Sequence, residues 1–223
     1  MKTIVITGAS DGLGKALVER LVRAYIVIAT ARNEAALAQL AKAAGCEWQV
    51  CDVKHAEQVE KLMSDVAKKH GAVDVLINNA GVIVNGELVD TSVEDIDNVI
   101  QTNTLGSIYA AKAALKYMKQ QKSGLIVNVV SQSGIYARAN RSIYNASKWA
   151  LTGFTKSLQE EAAAYGVRVT GFYPGTIQTR LFAKAGIDMQ GLALTLDDAV
   201  RSVEFLLSFD EAVLIPELGI KHI

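Results

Sequence analysis

Cysteine, histidine and proline are scarce in this chain. Its 223 residues include two cysteines, Cys46 and Cys51, three histidines and two prolines. No second Cys or His pair lies near the cysteines to complete a tetrahedral zinc site, and the histidines are scattered along the chain. The sequence therefore predicts neither a metal site nor a catalytic triad built on histidine.

Excess charge and long apolar runs are also missing. The 23 lysines and arginines are balanced by 23 aspartates and glutamates, so no net positive charge is available to attract a nucleic acid or an anionic membrane. The apolar run at the N-terminus meets Gly8 too early for a secretory signal, and no later run approaches the length that spans a bilayer. We expect a cytoplasmic protein that binds neither nucleic acid nor membrane.

Short β-branched apolar runs alternate with longer stretches of helical spacing along the whole chain. Strands are predicted at Thr3–Thr7, Ile26–Thr30, Glu47–Val50, Val73–Asn78, Leu125–Val130, Val167–Tyr173 and Ala212–Ile215. Helices are predicted at Leu13–Arg23, Glu34–Ala44, Ala56–His70, Val93–Gln121 with a possible break near Asn103, Ser142–Tyr165 and Leu196–Ser208. This pattern is typical of the α/β class, with a parallel sheet covered on both faces. We predict a doubly wound Rossmann fold, a three-layer α/β/α sandwich of about seven strands.

The turn between the first strand and the first helix is rich in glycine. Glycine can take positive φ and lets backbone N–H groups approach a phosphate, while the helix N-terminus adds a partial positive charge. We therefore predict a pyrophosphate site here, in a single dinucleotide-binding domain over residues 1–223 with a short substrate loop at about 176–196. The alternative is a turn that needs glycine for its geometry alone. The candidate residues in the turn are Gly8, Ser10, Asp11, Gly12, Leu13 and Gly14.

The end of the second strand bears on the choice between NADP(H) and NAD(H). In dinucleotide folds a carboxylate at this point binds the adenosine ribose, whereas an arginine accommodates a 2′-phosphate. Here Ala31 is followed by Arg32, and no carboxylate occupies the strand end. This favours NADP(H), with NAD(H) as the less favoured cofactor, although Arg32 could equally be an ordinary exposed arginine at the start of a helix.

Four motifs in order resemble those of the short-chain dehydrogenase/reductase family, in its non-extended form, from Lys2 to about Thr179. They are TGxxxGxG at Thr7, Gly8, Gly12 and Gly14, NNAG at Asn78–Gly81, YxxxK at Tyr144 and Lys148, and PG at Pro174 and Gly175. The resemblance implies that Asp52 contacts the adenine and Thr179 the nicotinamide carboxamide. It further implies cofactor contacts at Val53, Asn79, Ala80, Gly81, Tyr144, Lys148, Pro174, Gly175 and Ile177.

The spacing of Tyr144 and Lys148 places both side chains on one face of a predicted helix. A nearby ammonium group would lower the pKa of the phenol and suit it to general acid–base work, but such a pair could also be half-buried packing. Ser131 lies thirteen residues before Tyr144, as the family's catalytic serine does, and would donate to the substrate oxygen. Ser133 is the competing serine, and either could be a turn serine bonded to local backbone. The resemblance implies that Asn103 holds a water for a proton relay.

The expected function is NADP(H)-dependent hydride transfer between the nicotinamide and a carbonyl or alcohol carbon, with Tyr144 as general acid or base. The rival is a non-catalytic NADP-binding redox sensor. Arg138 and Arg141 could meet an anionic substrate group or simply face water. The resemblance also implies a homodimer or homotetramer formed through the two long helices. Candidate walls of the substrate pocket, which could equally be ordinary packing, are Ile135, Tyr136, Tyr173, Leu181, Phe182, Ile187, Met189 and Leu192.

Overall fold

The computed structural model describes residues 1–187 and 193–223 and contains a seven-stranded parallel sheet. The strands lie in the order β3-β2-β1-β4-β5-β6-β7. Strand order therefore reverses between β1 and β4, and in open α/β sheets the crevice at such a switch point is where ligands bind. The strands are β1 (Thr3–Thr7), β2 (Ile26–Ala31), β3 (Glu47–Val50), β4 (Val75–Asn78), β5 (Gly124–Val129), β6 (Val167–Pro174) and β7 (Glu217–Ile220).

Helices cover both faces of this sheet. They are α1 (Gly12–Leu21), α2 (Glu34–Ala44), α3 (Ala56–His70), α4 (Val93–Ile100), α5 (Gly106–Gln121), α6 (Ser142–Ala163), α7 (Arg180–Lys184) and α8 (Leu196–Leu207). Ile4 and Ile6 of β1 pack with α1, α2 and α8, whereas Val5 between them packs with α3, α5 and α6. Alternate residues of a strand point to opposite faces, so an unbroken apolar strand fills both cores. The predicted three-layer sandwich is confirmed.

The last strand is where the prediction is wrong, because β7 is Glu217–Ile220 and not Ala212–Ile215. Carbonyl groups in and just before the predicted strand at 212–215 accept hydrogen bonds from side chains of β6. Arg168 donates to the carbonyls of Asp210 and Val213, and the Thr170 hydroxyl donates to the carbonyl of Ile215. The strand pairs with β6 only after Pro216, as an edge strand that needs little apolar sequence.

The predicted break near Asn103 is a π-helical segment, Gln101–Leu105, between α4 and α5. Such a segment adds a residue to one turn and is frequent at functional sites. The Ser107 hydroxyl donates to the Asn103 carbonyl over 2.9 Å, and the Asn103 side chain is fully buried. Local winding thus turns this polar residue toward the protein interior.

No helix among the described residues is both long and apolar enough to cross a membrane.

Candidate active site

A cleft of about 720 Å³ opens at the carboxyl ends of the strands. This volume falls in the range of roughly 300–1,000 Å³ found for small-molecule sites. Ser131 lies on its wall, whereas the predicted site residues Gly14 and Asn103 are buried behind it. The other predicted residues on the wall are Gly8, Ser10, Asp11, Gly12, Leu13, Arg32, Asp52, Val53, Asn79, Ala80, Gly81, Tyr144, Lys148, Pro174, Gly175, Ile177 and Thr179.

The glycine turn is packed too tightly for side chains at two positions. Gly8 has φ +67°, and a Cβ there would lie 2.7 Å from the Cα of Ala80. A Cβ at Gly14 would lie 2.4 Å from the carbonyl oxygen of Gly8. Such distances are shorter than any ordinary nonbonded contact, so glycine keeps the turn against β4 and its surface open to a ligand.

Hydrogen bonds tie this turn to the NNAG motif. The Thr7 hydroxyl accepts from the backbone N–H groups of Asn79 and Ala80, each over 3.0 Å. The Asn79 amide donates to the carbonyls of Thr7 over 2.9 Å and Gly8 over 3.2 Å. Since two motifs more than seventy residues apart hold each other, the floor of the cleft between β1 and β4 is fixed.

The first helix presents its N-terminus to the same turn. Asp11 caps α1 by accepting from the N–H of Gly12 over 2.8 Å, and its carboxylate also lies 3.9 Å from the guanidinium of Arg180. The helix dipole adds partial positive charge at this end, which favours a bound phosphate.

The ends of β2 and β3 supply the far end of the cleft. Arg32 is half-exposed, and its Nη1 atom lies 3.9 Å from Oδ2 of Asp52. Cys51 also lies on the wall. Burial raises the pKa of Cys51 to about 11, so the thiol stays protonated at neutral pH. This end offers a cation and a carboxylate without a reactive nucleophile.

Tyr144 and Lys148 meet at the opposite end of the cleft, as their spacing predicts. Both are nearly fully buried, and the Lys148 ammonium lies 5.8 Å from the centroid of the Tyr144 ring. The same ammonium donates to the carbonyl of Val129 at the end of β5 over 2.9 Å. The α6 helix therefore presents a phenol to the cleft with a lysine one turn behind it.

The electrostatics of this pair differ from the sequence-based expectation. Burial raises the pKa of Tyr144, while a hydrogen bond with Ser131 and the positive charge of Arg141 partly offset that rise. Burial also lowers the pKa of Lys148 to about 8. Loss of water around both groups outweighs the attraction between them, so Tyr144 rests as a neutral phenol that can give up a proton.

Ser131 has an unusual backbone, with φ +94° and ψ +154°. This conformation is sparsely populated for any residue except glycine, and such strain is concentrated at functional sites. The Ser131 hydroxyl accepts from the N–H of Ser133 over 3.2 Å, at the start of a short 3₁₀ turn. Ser133 is not part of the described cleft wall. The geometry therefore favours Ser131 over Ser133 as the serine beside Tyr144.

Asn103 acts as a clamp behind the wall. Its Oδ1 atom accepts from the N–H of Val82 over 2.8 Å, and its amide donates to the Val82 carbonyl over 2.9 Å and to the Ser147 hydroxyl over 3.0 Å. A Cβ on Gly81 would lie 3.3 Å from that Oδ1 and 3.8 Å from the Lys148 ammonium. Asn103 thus joins the NNAG segment to α6 close to Lys148.

Leu181 and Phe182 are the expected substrate walls that line the cleft. Tyr173 does not, because its hydroxyl points toward β7 and donates to Glu217 over 3.2 Å. A Cβ on Gly171 would lie 2.6 Å from the Tyr173 ring, so glycine makes room for this orientation. Among the expected walls, Ile135, Tyr136 and Ile187 lie off the described wall, and Met189 and Leu192 lie outside the described residues.

Thr102 is a cleft residue that sequence reasoning missed. It lies in the π-helical segment, is nearly fully buried, and its hydroxyl oxygen has no hydrogen-bond partner within the described chain. Buried polar atoms are nearly always bonded, so an unpartnered hydroxyl beside the cleft is unusual. Helical spacing hides such a residue, and the polar run from Thr102 to Thr104 is the signal that could have found it.

These observations fit a nicotinamide dinucleotide along the cleft. The glycine turn would cradle a pyrophosphate, Arg32 would lie at the adenosine end, and Thr102 also lines the wall. Tyr144 lies at the other end, where a nicotinamide would be placed.

Comparison with known proteins gives the family. The sequence profile described as short chain dehydrogenase matches residues 2–190. An uncharacterized oxidoreductase of Staphylococcus saprophyticus is 36% identical over 187 residues, which are 81% of this chain and 80% of that protein.

Two solved structures are similar over nearly their whole length. An alcohol dehydrogenase from the archaeon Thermococcus sibiricus, in complex with 5-hydroxy-NADP, is 29% identical with a TM-score of 0.88, over 99% of this chain and 96% of that one. The closed form of a serine dehydrogenase with NADP+ is 27% identical with a TM-score of 0.92, over 98% and 94% of the two chains. This chain is an oxidoreductase of the short-chain dehydrogenase/reductase family.

Proposed function

We propose that this chain is an NADP(H)-dependent carbonyl reductase or alcohol dehydrogenase in which Tyr144 is the general acid and base. The observation that carries the proposal is the buried phenol of Tyr144 on the cleft wall, with Ser131 on the same wall and the Lys148 ammonium 5.8 Å from its ring centroid. A nicotinamide bound along the cleft would supply or accept the hydride.

Each side chain then has a defined task. Tyr144 gives its proton to the carbonyl oxygen during reduction and takes it back during oxidation. Ser131 donates a hydrogen bond to the same oxygen as negative charge develops there. Lys148 stabilises the phenolate that Tyr144 leaves behind, and Asn103 positions α6 and the NNAG segment around it.

The first test is the activity of Tyr144→Phe, measured as NADPH oxidation with a panel of aldehydes and ketones. We expect kcat to fall by about 10²–10⁴-fold, because the proton donor is lost, while NADPH affinity stays within about threefold. Tyr173→Phe is the matched control, since Tyr173 is also buried but bonds to Glu217. Turnover that survives in Tyr144→Phe would refute the role of the phenol. NADPH binding by the unaltered chain without turnover of any carbonyl in the panel would favour a redox sensor.

The cofactor preference rests on Arg32. It lies on the cleft wall at the end of β2, and no carboxylate occupies the strand end beside it. A 2′-phosphate placed there would gain a charge-assisted hydrogen bond. The guanidinium of Arg32 lies 3.9 Å from the Asp52 carboxylate and is still half-exposed. It can therefore bind a further anion.

Arg32→Asp tests this preference. We expect KM for NADPH to rise at least about tenfold more than KM for NADH, because a phosphate would meet a carboxylate in place of a cation. Arg23→Asp makes the same change of net charge at an exposed position beyond the end of α1. Equal changes in the two KM values would contradict the assignment. The homodimer or homotetramer, and the cytoplasmic location, stay predictions from the sequence.

A further inference from the structure

Arg141 lies close to Tyr144 but has no role in the function proposed above. It precedes α6 by one residue and Tyr144 by three. Its guanidinium carbon lies 5.7 Å from the centroid of the Phe182 ring, and Phe182 lines the cleft. Its positive charge is close enough to lower the pKa of Tyr144. Arg141 therefore lies at the substrate end of the cleft, beside both the proton donor and a wall residue.

Arg141 has no negative partner in the described part of the chain. It forms no ion pair there, whereas Arg20 on α1 pairs with two carboxylates, those of Asp197 and Glu204. Burial, and then the like charge of Arg138, lower the pKa of Arg141. A partly desolvated cation beside a second cation is unfavourable unless an anion joins it. Arg141 and Arg138 thus create a positive region that has no counter-charge among the described residues.

The backbone that carries these arginines is held on both sides. The Asn145 side chain donates to the carbonyl of Arg138 over 3.1 Å, and its backbone N–H donates to the carbonyl of Arg141 over 2.8 Å. The N–H of Gly86 donates to the carbonyl of Asn140 over 2.9 Å. A fixed backbone reduces the entropy lost when a ligand orders the side chains.

The contact with Phe182 also leaves the useful atoms of Arg141 available. The Phe182 ring accepts no N–H hydrogen bond at 5.7 Å from the guanidinium carbon, and the five N–H donors of Arg141 form no hydrogen bond among the described residues. A planar, bidentate carboxylate is the ligand that such a fork recognises best.

We propose that the substrate is a short oxo acid, or the corresponding hydroxy acid, whose carboxylate binds Arg141 while its carbonyl oxygen meets Tyr144 and Ser131. Arg138 adds positive charge without direct contact. In the reduction the carbonyl carbon gains a hydride from the nicotinamide, which is oxidised, and the C=O π pair moves to the oxygen. That oxygen takes the Tyr144 proton, which solvent restores. This inference rests on the proposed function of the same site.

The test compares acids with their neutral esters in the full chain with NADPH. The substrates are 2-, 3- and 4-oxo acids of four or five carbons and their methyl esters, assayed with the unaltered chain, Arg141→Gln, Arg138→Gln and the distant control Arg23→Gln. We expect kcat/KM for the best acid to exceed that for its ester. In Arg141→Gln the value for the acid should fall about 10–100-fold, because a hydrogen bond to a charged group contributes about 1.5–3 kcal/mol and each 1.4 kcal/mol corresponds to a factor of ten. Loss of the Arg141 charge also acts on the pKa of Tyr144 and so affects acid and ester alike. The readout is therefore the ratio of kcat/KM for the acid to that for the ester, which should fall at least about tenfold in Arg141→Gln and by less in Arg138→Gln.

The outcomes separate the two proposals. Turnover of neutral carbonyls with no preference for an acid, or an equal loss for acid and ester in Arg141→Gln, would overturn the oxo acid assignment and leave the reductase intact. A chain that binds NADPH but reduces neither acids nor neutral carbonyls would overturn both. Binding can also be measured without turnover, by calorimetric titration of the hydroxy acid product into the Tyr144→Phe protein saturated with NADP+. The binding signal should disappear in the double variant that also carries Arg141→Gln.

Discussion

Replacing Ser131 by glycine and by alanine separates its chemical role from its backbone strain. Both variants lack the hydroxyl, so both should lose about 10²–10³-fold in kcat, as enzymes do when a donor to a developing oxyanion is removed. They differ in backbone freedom. Alanine at φ +94° and ψ +154° is as strained as serine, whereas glycine adopts this conformation without a Cβ clash.

The size of the difference follows from two opposing terms. A residue in this region of φ/ψ space costs about 1–3 kcal/mol, and glycine relieves that cost. Glycine also gives the unfolded chain about 0.5–1 kcal/mol more conformational entropy than alanine does. The two terms leave a difference of roughly 0–2.5 kcal/mol in favour of Ser131→Gly over Ser131→Ala, with about 1 kcal/mol as the central value. For a chain of this length that corresponds to roughly 2–4 °C in Tm.

Urea unfolding and thermal melting of the two variants measure this difference. Ser133 supplies a matched control, because it lies in the adjacent 3₁₀ turn with an ordinary negative φ. There the order should reverse or vanish, with Ser133→Ala at least as stable as Ser133→Gly. An alanine variant at residue 131 that melts at or above the glycine variant would refute the strain argument.

Three further variants test the fold around the site. Lys148→Met should be more stable than the unaltered chain at pH 7 by up to about 3 kcal/mol, because burial lowers the pKa of Lys148 to about 8 from its ordinary value near 10.5. Between these two pKa values the unfolded chain holds more protons than the folded chain, so the unaltered chain gains stability as the pH rises. The stability advantage of Lys148→Met, measured by urea titration, should therefore fade by about pH 10.5. An advantage that does not change with pH contradicts the burial argument. Thr7→Val leaves two partly buried backbone N–H groups of the NNAG motif without their acceptor and should lower the free energy of unfolding by about 1–3 kcal/mol, while Thr7→Ser, which keeps the hydroxyl, should lose much less. Gly14→Ala places a Cβ 2.4 Å from a backbone oxygen of the turn and should weaken NADPH binding more than tenfold in a fluorescence titration. Gly153→Ala, in an open position of α6, should leave binding unchanged and stabilise the helix by about 0.5–1 kcal/mol. Similar affinities of the two alanine variants for NADPH would contradict the argument from the packing of the turn.

The C-terminal part of the chain shows where sequence patterns mislead. An apolar run at 212–215 suggests a strand, but the carbonyls of that run are bound by side chains of β6, and the strand forms after Pro216. Edge strands carry a weak signal, since one of their sides is unpaired and their faces are half-exposed. The position of Tyr173 near the end of β6 suggested the cleft, but its side chain packs with Val130 and Leu151 and its hydroxyl donates to Glu217 of β7.

The sequence by itself determined the strand–turn–helix pattern, and with it the parallel sheet and the glycine turn at the floor of the cleft. Apolar alternation and glycine spacing are local properties that the chain carries before it folds. Only the tertiary structure decided the pKa shifts of Tyr144 and Lys148, the strained backbone of Ser131 and the clamp made by Asn103. It also decided that Arg141 meets Phe182 without a carboxylate partner in the described chain. These features depend on loss of water and on contacts between distant segments, which no local spacing encodes.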